Sequence, residues 1–368
     1  MAEKINTIAG ANPPTSTVTW ADECTILDYL WIDGGTDPRV RSKTKVLQKN
    51  PETFVGLSDI PHWGFDGSST MQADGGDSDL GLVPVAKFPN PLRANSLIVM
   101  CEVSNADHSG PHRTNVRAPL SALCRNSDIA SLDPWFAIEQ EYTLIRMADG
   151  RPLGWPAQSD PAPQGDYYCG RNIGDLIIEE HLKACLEAGL SIGGTNAEVM
   201  LGQWEYQIGP SNPVNVSDEL WVSRWMLEKI AAAHGVHVSW DPKPVQGDWN
   251  GAGAHTNFST NDMRGTAGSP VNPGTCRLSM ENALTALEKT HAEHIEVYGV
   301  GNEKRLTGLH ETCKIDEFKW GVGDRTASVR VPKQVMLDGC GYIEDRRPAS
   351  NMNPYIVCLK ILETTCNS

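Results

Sequence analysis

Trp135-Phe136-Ala137-Ile138-Glu139-Gln140-Glu141-Tyr142-Thr143-Leu144 alternates residue by residue, the mark of a β-strand with two unlike faces. Period-two geometry puts Phe136, Ile138, Tyr142 and Leu144 on one face and Glu139 with Glu141 on the other. Adjacent carboxylates on an inner strand repel one another unless they face water or share a cation. A wetted edge strand and a metal site account for this pair equally well.

A second acidic segment favours the cation. Glu198-Val199-Met200-Leu201-Gly202-Gln203-Trp204-Glu205-Tyr206-Gln207-Ile208-Gly209 reads as two strands joined at Gly202, with Glu198 and Glu205 set in an apolar, aromatic frame. Acids seldom interrupt such strands without a partner. With Glu141 they form a set of hard oxygen donors suited to Mg²⁺ or Mn²⁺. Downstream, Asn250-Gly251-Ala252-Gly253-Ala254-His255-Thr256-Asn257-Phe258-Ser259 offers small residues that admit a ligand to the backbone, then an imidazole, an amide and a hydroxyl. Alone, His255 reads as a structural histidine; beside this approach it becomes a candidate ligand. The dinucleotide fingerprint lacks its third glycine here, and no G-x-x-x-x-G-K-[ST] loop occurs.

The C-terminal third supplies the opposite charge. Arg305, Arg325, Arg330 and Arg346 lie in Gly-bearing polar loops and short strands, and Glu344 adds a further acid. Guanidinium forks match carboxylate and phosphate oxygens. For Arg347 the expectation is an ordinary surface ion pair, worth about 0–1 kcal/mol.

Around these segments the chain reads as globular α+β. Of its 368 residues 40% are hydrophobic and 21% charged, enough for a sizeable core in a large and a small domain. The net charge of -15 argues against nucleic acid and against anionic membrane as partners. No apolar run approaches the roughly 18 residues of a membrane span. Residues 1–21 read as a flexible arm without the features of a targeting peptide. The ten cysteines include no C-x-x-C pair, so free, scattered thiols in a reducing cytoplasm are expected. Strand-like runs occupy 26–32, 80–85 and 97–103, and the polar stretch 104–114 is the expected boundary between domains. Helical periodicity appears around Ile178–Cys185 before Gly189, over Val216–His234 with Asn215 as cap, and from about Ser279. Trp221 and Trp225, four apart within Val216–His234, read as packing or interface residues.

Seven motifs, in order, resemble the glutamine synthetase family in its shorter, eukaryotic-type class. They are Phe65-Asp66-Gly67-Ser68-Ser69-Thr70, Glu139-Gln140-Glu141-Tyr142, Asp166-Tyr167-Tyr168-Cys169-Gly170, Gly202-Gln203-Trp204-Glu205, Asn250 to His255, Arg305-Leu306-Thr307-Gly308, and Gly341-Tyr342-Ile343-Glu344-Asp345-Arg346-Arg347-Pro348. The resemblance implies an N-terminal β-grasp domain, 22–105, serving the neighbouring subunit's site. It implies a larger catalytic α+β domain, 106–368, and a homo-oligomer, a decamer of two stacked pentamers. It implies ATP-dependent ligation of ammonia to glutamate through γ-glutamyl phosphate, with at least two Mg²⁺ or Mn²⁺ ions per active site. By the family pattern Glu141, Glu198 and Glu205 hold one metal, and Glu139, His255 and Glu344 the other. Asn250, Gly251, Arg305 and Arg346 bind glutamate. Trp135, Asn257 and Ser259 bind ATP, and Arg325 and Arg330 reach its phosphates as catalytic groups. Asp66, Tyr167 and Glu311 form the ammonium site, Asp66 and Glu311 acting catalytically. Gly64, Ala137 and Thr326 depart from the commonest family residues without removing a charge. A relative amidating glutamate with an organic amine or using another acid, a two-metal hydrolase and a non-catalytic oligomer are the competing expectations.

Overall fold

The N-terminal alternating runs build a five-stranded sheet. In the computed structural model, which describes residues 24–48, 53–54, 56–170, 173–265 and 272–366, it comprises β1 (Thr25–Ile32), β2 (Val40–Leu47), β3 (Trp63–Asp66), β4 (Asp79–Pro89) and β5 (Ser96–Asn105). The expected arm, 1–21, lies outside the described residues. Strand order is β2-β1-β5-β4-β3, with β1 and β5 parallel and the other pairs antiparallel. The three expected strands fall inside β1, β4 and β5. β2 escapes a hydropathy reading because, as an edge strand of sequence VRSKTKVL, it buries neither face fully. Leu27, Tyr29, Trp31, Leu82 and Val99 fill a core on one face of this sheet. Leu30, Ile98 and Met100, on the other, join the core of the larger unit.

That larger unit is built on an eight-stranded sheet. Its strands are β6 (Trp135–Arg146), β7 (Ile192–Ala197), β8 (Gln203–Ser211), β9 (Val236–Ser239), β10 (Ala254–Ser259), β11 (Trp320–Val322), β12 (Val329–Val331) and β13 (Ile343–Asp345). The order runs β11-β12-β13-β10-β6-β8-β7, with β9 also beside β6. β6 keeps the predicted alternation: Phe136, Ile138, Gln140, Tyr142 and Leu144 are buried in the core face, and Glu139 and Glu141 point the other way, half-buried. The Pro213–Ala233 helix lies behind β6 and β8 and touches β5 of the small sheet. Sandwiched so, it is buried on nearly all sides rather than along one stripe. Trp221 and Trp225 are packing residues within it.

Helix starts differ from the sequence reading. The Pro213–Ala233 helix is capped by Asn212, whose side chain accepts from the Asn215 amide at 3.0 Å; Asn215 is therefore the recipient of the cap. Proline at the first helical position needs no amide partner, so the helix begins three residues before Val216. For the same reason the Pro273–Lys289 helix starts well before Ser279, with Asn272 as its cap. The Asp175–Glu187 helix stops near Gly189 as expected, the glycine taking a φ of +76°. Cys276 and Cys340 also depart from expectation: their Cα atoms lie 5.1 Å apart and they form a disulfide, while the remaining eight cysteines are free. No helix among the described residues is long and apolar enough to cross a membrane.

Candidate active site

Strand register assembles the site. In the β6–β10 pairing Glu139 faces His255, and in the β6–β8 pairing Glu141 faces Glu205. Glu344 of β13 stands opposite Asn257 on one side and Arg330 on the other. Glu198 is not a strand residue: β7 ends at Ala197, and Glu198 opens the turn to β8. Gly202 closes that turn at φ +90°, where a Cβ would stand 2.8 Å from the Leu153 carbonyl oxygen. Two sets result, Glu139–His255–Glu344 and Glu141–Glu198–Glu205, each with ligand atoms within 4.8 Å of one another.

Electrostatics show what each set lacks. Burial, reinforced by Glu141, pushes Glu198 up to about 8. Burial, reinforced by Glu139 and Glu141, pushes Glu205 up to about 9. Glu141 is raised as well, burial outweighing the nearby Arg305. Burial and then Arg346 lower His255, leaving it a neutral imidazole at pH 7. Three acids that resist ionising together, and a neutral imidazole between two further carboxylates, are donor sets a divalent cation satisfies. The residues present therefore fit such an ion at each set.

Arginines close the other side. Glu344 accepts from Arg330 at 2.7 Å and from Arg346 at 2.5 Å. Arg305 is buried, its guanidinium pushed down to about 10 by that burial, and it donates to the Arg346 carbonyl at 2.9 Å. It also fixes the glycine loop: a Cβ on Gly251 would lie 2.6 Å from the Pro242 carbonyl oxygen and 2.7 Å from Arg305 Cγ. Half-exposed Arg325 approaches Glu311 at 3.8 Å. The neighbouring Thr326 ties its amide and hydroxyl to Asp324, at 2.9 and 2.7 Å, and keeps out of the left-handed region. Glu311 itself has a φ of +60° and His310 one of +51°, consecutive non-glycine residues in a region that costs about 1 kcal/mol or more each. Arg347 is not the surface residue expected. It is 1% exposed and grips Asp345 through Nε at 2.8 Å and Nη2 at 2.7 Å.

Two cavities meet at Glu139. The first, about 210 Å³, is polar and is lined by all six acid and imidazole ligands, Asn250, Gly251, Glu311 and the four arginines 305, 325, 330 and 346. The second, about 610 Å³, is lined by Trp135, Asn257 and Ser259 among apolar walls. Sequence reading missed two of its residues. Arg264 sets its guanidinium 4.0 Å over the Trp135 ring, and Tyr342 lies two residues before Glu344 along the chain. Two expected residues stay out of both cavities. Asp66 is exposed on the small sheet, where hydrogen bonds from Ser68, then Ser69, lower it to about 2. Tyr167 is buried in a satellite core with Trp155 and Met200, its hydroxyl donating to the Ala162 carbonyl at 3.0 Å. Its neighbour Tyr168 lines the polar cavity instead.

The profile of the family described as "Glutamine synthetase, catalytic domain" matches residues 113–366. A glutamine synthetase of Emericella nidulans is 48% identical over 346 residues, covering 92% of each chain. A glutamine synthetase of Streptomyces viridochromogenes is 49% identical, covering 93% of this chain and 96% of its own. Glutamine synthetase cytosolic isozyme 1-1 of Oryza sativa subsp. japonica is 48% identical over 92% of this chain and 93% of its own. A solved structure titled "Apo GmaS without ligand" superposes with a TM-score of 0.70 at 19% identity, covering 93% of this chain and 77% of its own, which shows the fold alone. Profile, full-length relatives and the converging acids and arginines agree: the chain belongs to the glutamine synthetase family, in its shorter, eukaryotic-type class.

Proposed function

We propose that this chain makes L-glutamine from L-glutamate and ammonia, with ATP converted to ADP and phosphate through γ-glutamyl phosphate. The observation that carries the reading is the polar cavity itself, two acidic sets facing four arginines, opening at Glu139 and Gln207 onto a larger, mostly apolar chamber. Trp135, Asn257 and Ser259 hold the nucleotide there, and Tyr342 and Arg264 complete the chamber. Arg305, Arg346, Asn250 and Gly251 seat glutamate with its side-chain carboxylate toward Glu139. Glu139–His255–Glu344 and Glu141–Glu198–Glu205 would hold Mg²⁺ or Mn²⁺. Such ions, when bound, offset the repulsion between a carboxylate and the γ-phosphate and stabilise the phosphoryl oxygens in flight.

Carboxylate oxygen is a poor leaving group, so the γ-phosphoryl first passes to it, with Arg325 and Arg330 drawn to the transferred group. Ammonia then attacks the acyl carbon and phosphate departs. At neutral pH the incoming species is ammonium, which needs negative charge to dock and a base to take its proton. Glu311 and Tyr168 provide part of that site in this chain. Asp66 completes it from a neighbouring subunit, which makes the active unit an oligomer; family resemblance makes it a decamer of two stacked pentamers. Residues 22–105 are then the unit that serves the neighbour, and 106–368 the catalytic unit. Relatives from Oryza sativa and Arabidopsis thaliana carry the name cytosolic isozyme, and a cytoplasmic setting is proposed here too.

Purified protein with ATP, Mg²⁺, glutamate and ammonium should yield glutamine and phosphate in equal amounts. Phosphate without glutamine would replace the reading with a hydrolase, and product only with alkylamines with an amine ligase. Asp66→Asn should raise the ammonium requirement by about tenfold or more, the effect of losing one docking charge, with ATP KM unchanged. An unaltered ammonium KM would remove Asp66 from the site.

A further inference from the structure

Behind the metal-bearing face of β6 lies a charge that the mechanism does not use. Arg224, in the middle of the Pro213–Ala233 helix, is 2% exposed and makes no ion pair among the described residues. Its hydrogen bonds all go to neutral oxygens. Nε and Nη2 donate to Gln140 Oε1 at 2.9 and 2.5 Å, Nη1 to the Met352 carbonyl at 2.9 Å, and Nη2 to the Ser350 carbonyl at 2.9 Å. Trp221 and Trp240 flank the guanidinium, their ring centroids 4.8 and 5.3 Å away. A buried cation with no carboxylate in direct contact is a poor way to stabilise a fold, since desolvation outweighs the more distant attraction of Glu228 and Asp37.

What the guanidinium does hold is geometry. Gln140, between Glu139 and Glu141 on the opposite face of β6, donates from Nε2 to the Glu141 carbonyl at 2.8 Å and to the Ser350 carbonyl at 3.0 Å. Ser350 donates its hydroxyl to the same Glu141 carbonyl at 2.5 Å and its amide to the Ala252 carbonyl at 3.1 Å. The chain from Arg346 to Ser350 is further stitched to the glycine loop by the Ala254 amide, which donates to the Pro348 carbonyl at 2.9 Å, and the Gly253 amide donates to the Glu141 carboxylate. One guanidinium therefore ties together Glu141, the Gly251 loop and the Arg346 segment. Nucleotide-side residues Trp135 and Ser259 pair with each other at the far end of the β6–β10 ladder, outside this network.

We propose that Arg224, acting through Gln140 and Ser350, is a positioning residue for the glutamate half of the site. It sets the Glu141 carboxylate for metal binding, and the Gly251 and Arg346 walls for the amino acid. The glutamate part rests on the reading under Proposed function; the metal part does not.

The test uses full-length Ser350→Ala, Arg224→Lys and Arg224→Met. Mn²⁺ binding to metal-free protein is titrated calorimetrically beside thermal melting and KM for glutamate and for ATP. Ser350→Ala removes one hydroxyl bond to Glu141 and should weaken one class of Mn²⁺ site and raise glutamate KM by about fivefold, the worth of one hydrogen bond. ATP KM should stay within about twofold, because the nucleotide chamber is outside the network. Arg224→Lys should shift the same two quantities, and Arg224→Met should shift them further wherever it folds. Folded Ser350→Ala with unchanged Mn²⁺ affinity and glutamate KM overturns the proposal. So does a loss that strikes ATP equally and follows melting temperature, the pattern of a purely structural residue. If the wild type made no glutamine, the Mn²⁺ titration alone would still decide the metal part.

Discussion

Glu344→Gln should cut glutamine formation by about a thousandfold while the protein still folds, and Glu344→Ala should also lose stability. Glu344 is the hub of the polar cavity. It is 1% exposed, it accepts from Arg330 and Arg346, and one oxygen lies 3.5 Å from His255 Nδ1. Glutamine keeps the volume and one acceptor, so it answers one guanidinium but supplies no anionic ligand to the Glu139–His255–Glu344 set. That set borders the junction of the two cavities, where phosphate charge must be stabilised. Alanine leaves two guanidiniums facing an emptied pocket, and breaking such a buried pair costs about 3–5 kcal/mol. Steady-state glutamine assay, Mn²⁺ stoichiometry and denaturant unfolding separate the effects. A Gln variant within tenfold of wild type, with both metal sets still filled, would remove Glu344 from the chemistry.

β6 was legible because alternation is a local property, and Glu139 and Glu141 project together by strand geometry alone. That Glu139 meets His255 and Glu141 meets Glu205 is a matter of register between strands far apart in sequence, which no single segment contains. Glu198 was identified as an acid needing a partner, yet its place in a turn depends on Gly202 bending at φ +90°. Of the pair Tyr167 and Tyr168, the composition is symmetrical; the fold turns one inward and the other to the cavity. Arg347 reads as a surface arginine because nothing local marks its pairing with Asp345, and the packing of Tyr298 and Phe318 around the guanidinium comes from distant parts of the chain. Arg264 carried no motif at all. Its role follows from the Trp135 ring that the β6–β10 ladder brings beneath it.

The same acids make the metal-free protein a pH-dependent object. In chelator its stability should fall as pH rises from about 6 to 9, and excess Mn²⁺ should abolish the fall. Burial is the main cause that lifts Glu198 to about 8 and Glu205 to about 9 in the folded chain, against the 4.5 of an ordinary glutamate. Between those values the folded state holds protons that the unfolded state has released. Stability is therefore full below the unfolded value and is lost as pH climbs toward the folded ones. Each such carboxyl contributes a slope of about 1.4 kcal/mol per pH unit within that window. A bound cation reverses the preference, since it takes the ionised form of each ligand. Mn²⁺ binding at pH 7 should then expel about two protons per chain, read as a dependence of calorimetric enthalpy on buffer ionisation heat. Melting temperatures that stay level from pH 6 to 9 in chelator, together with binding heats indifferent to buffer, would mean that these carboxyls are already ionised and that the acidic set is stabilised by something other than a metal.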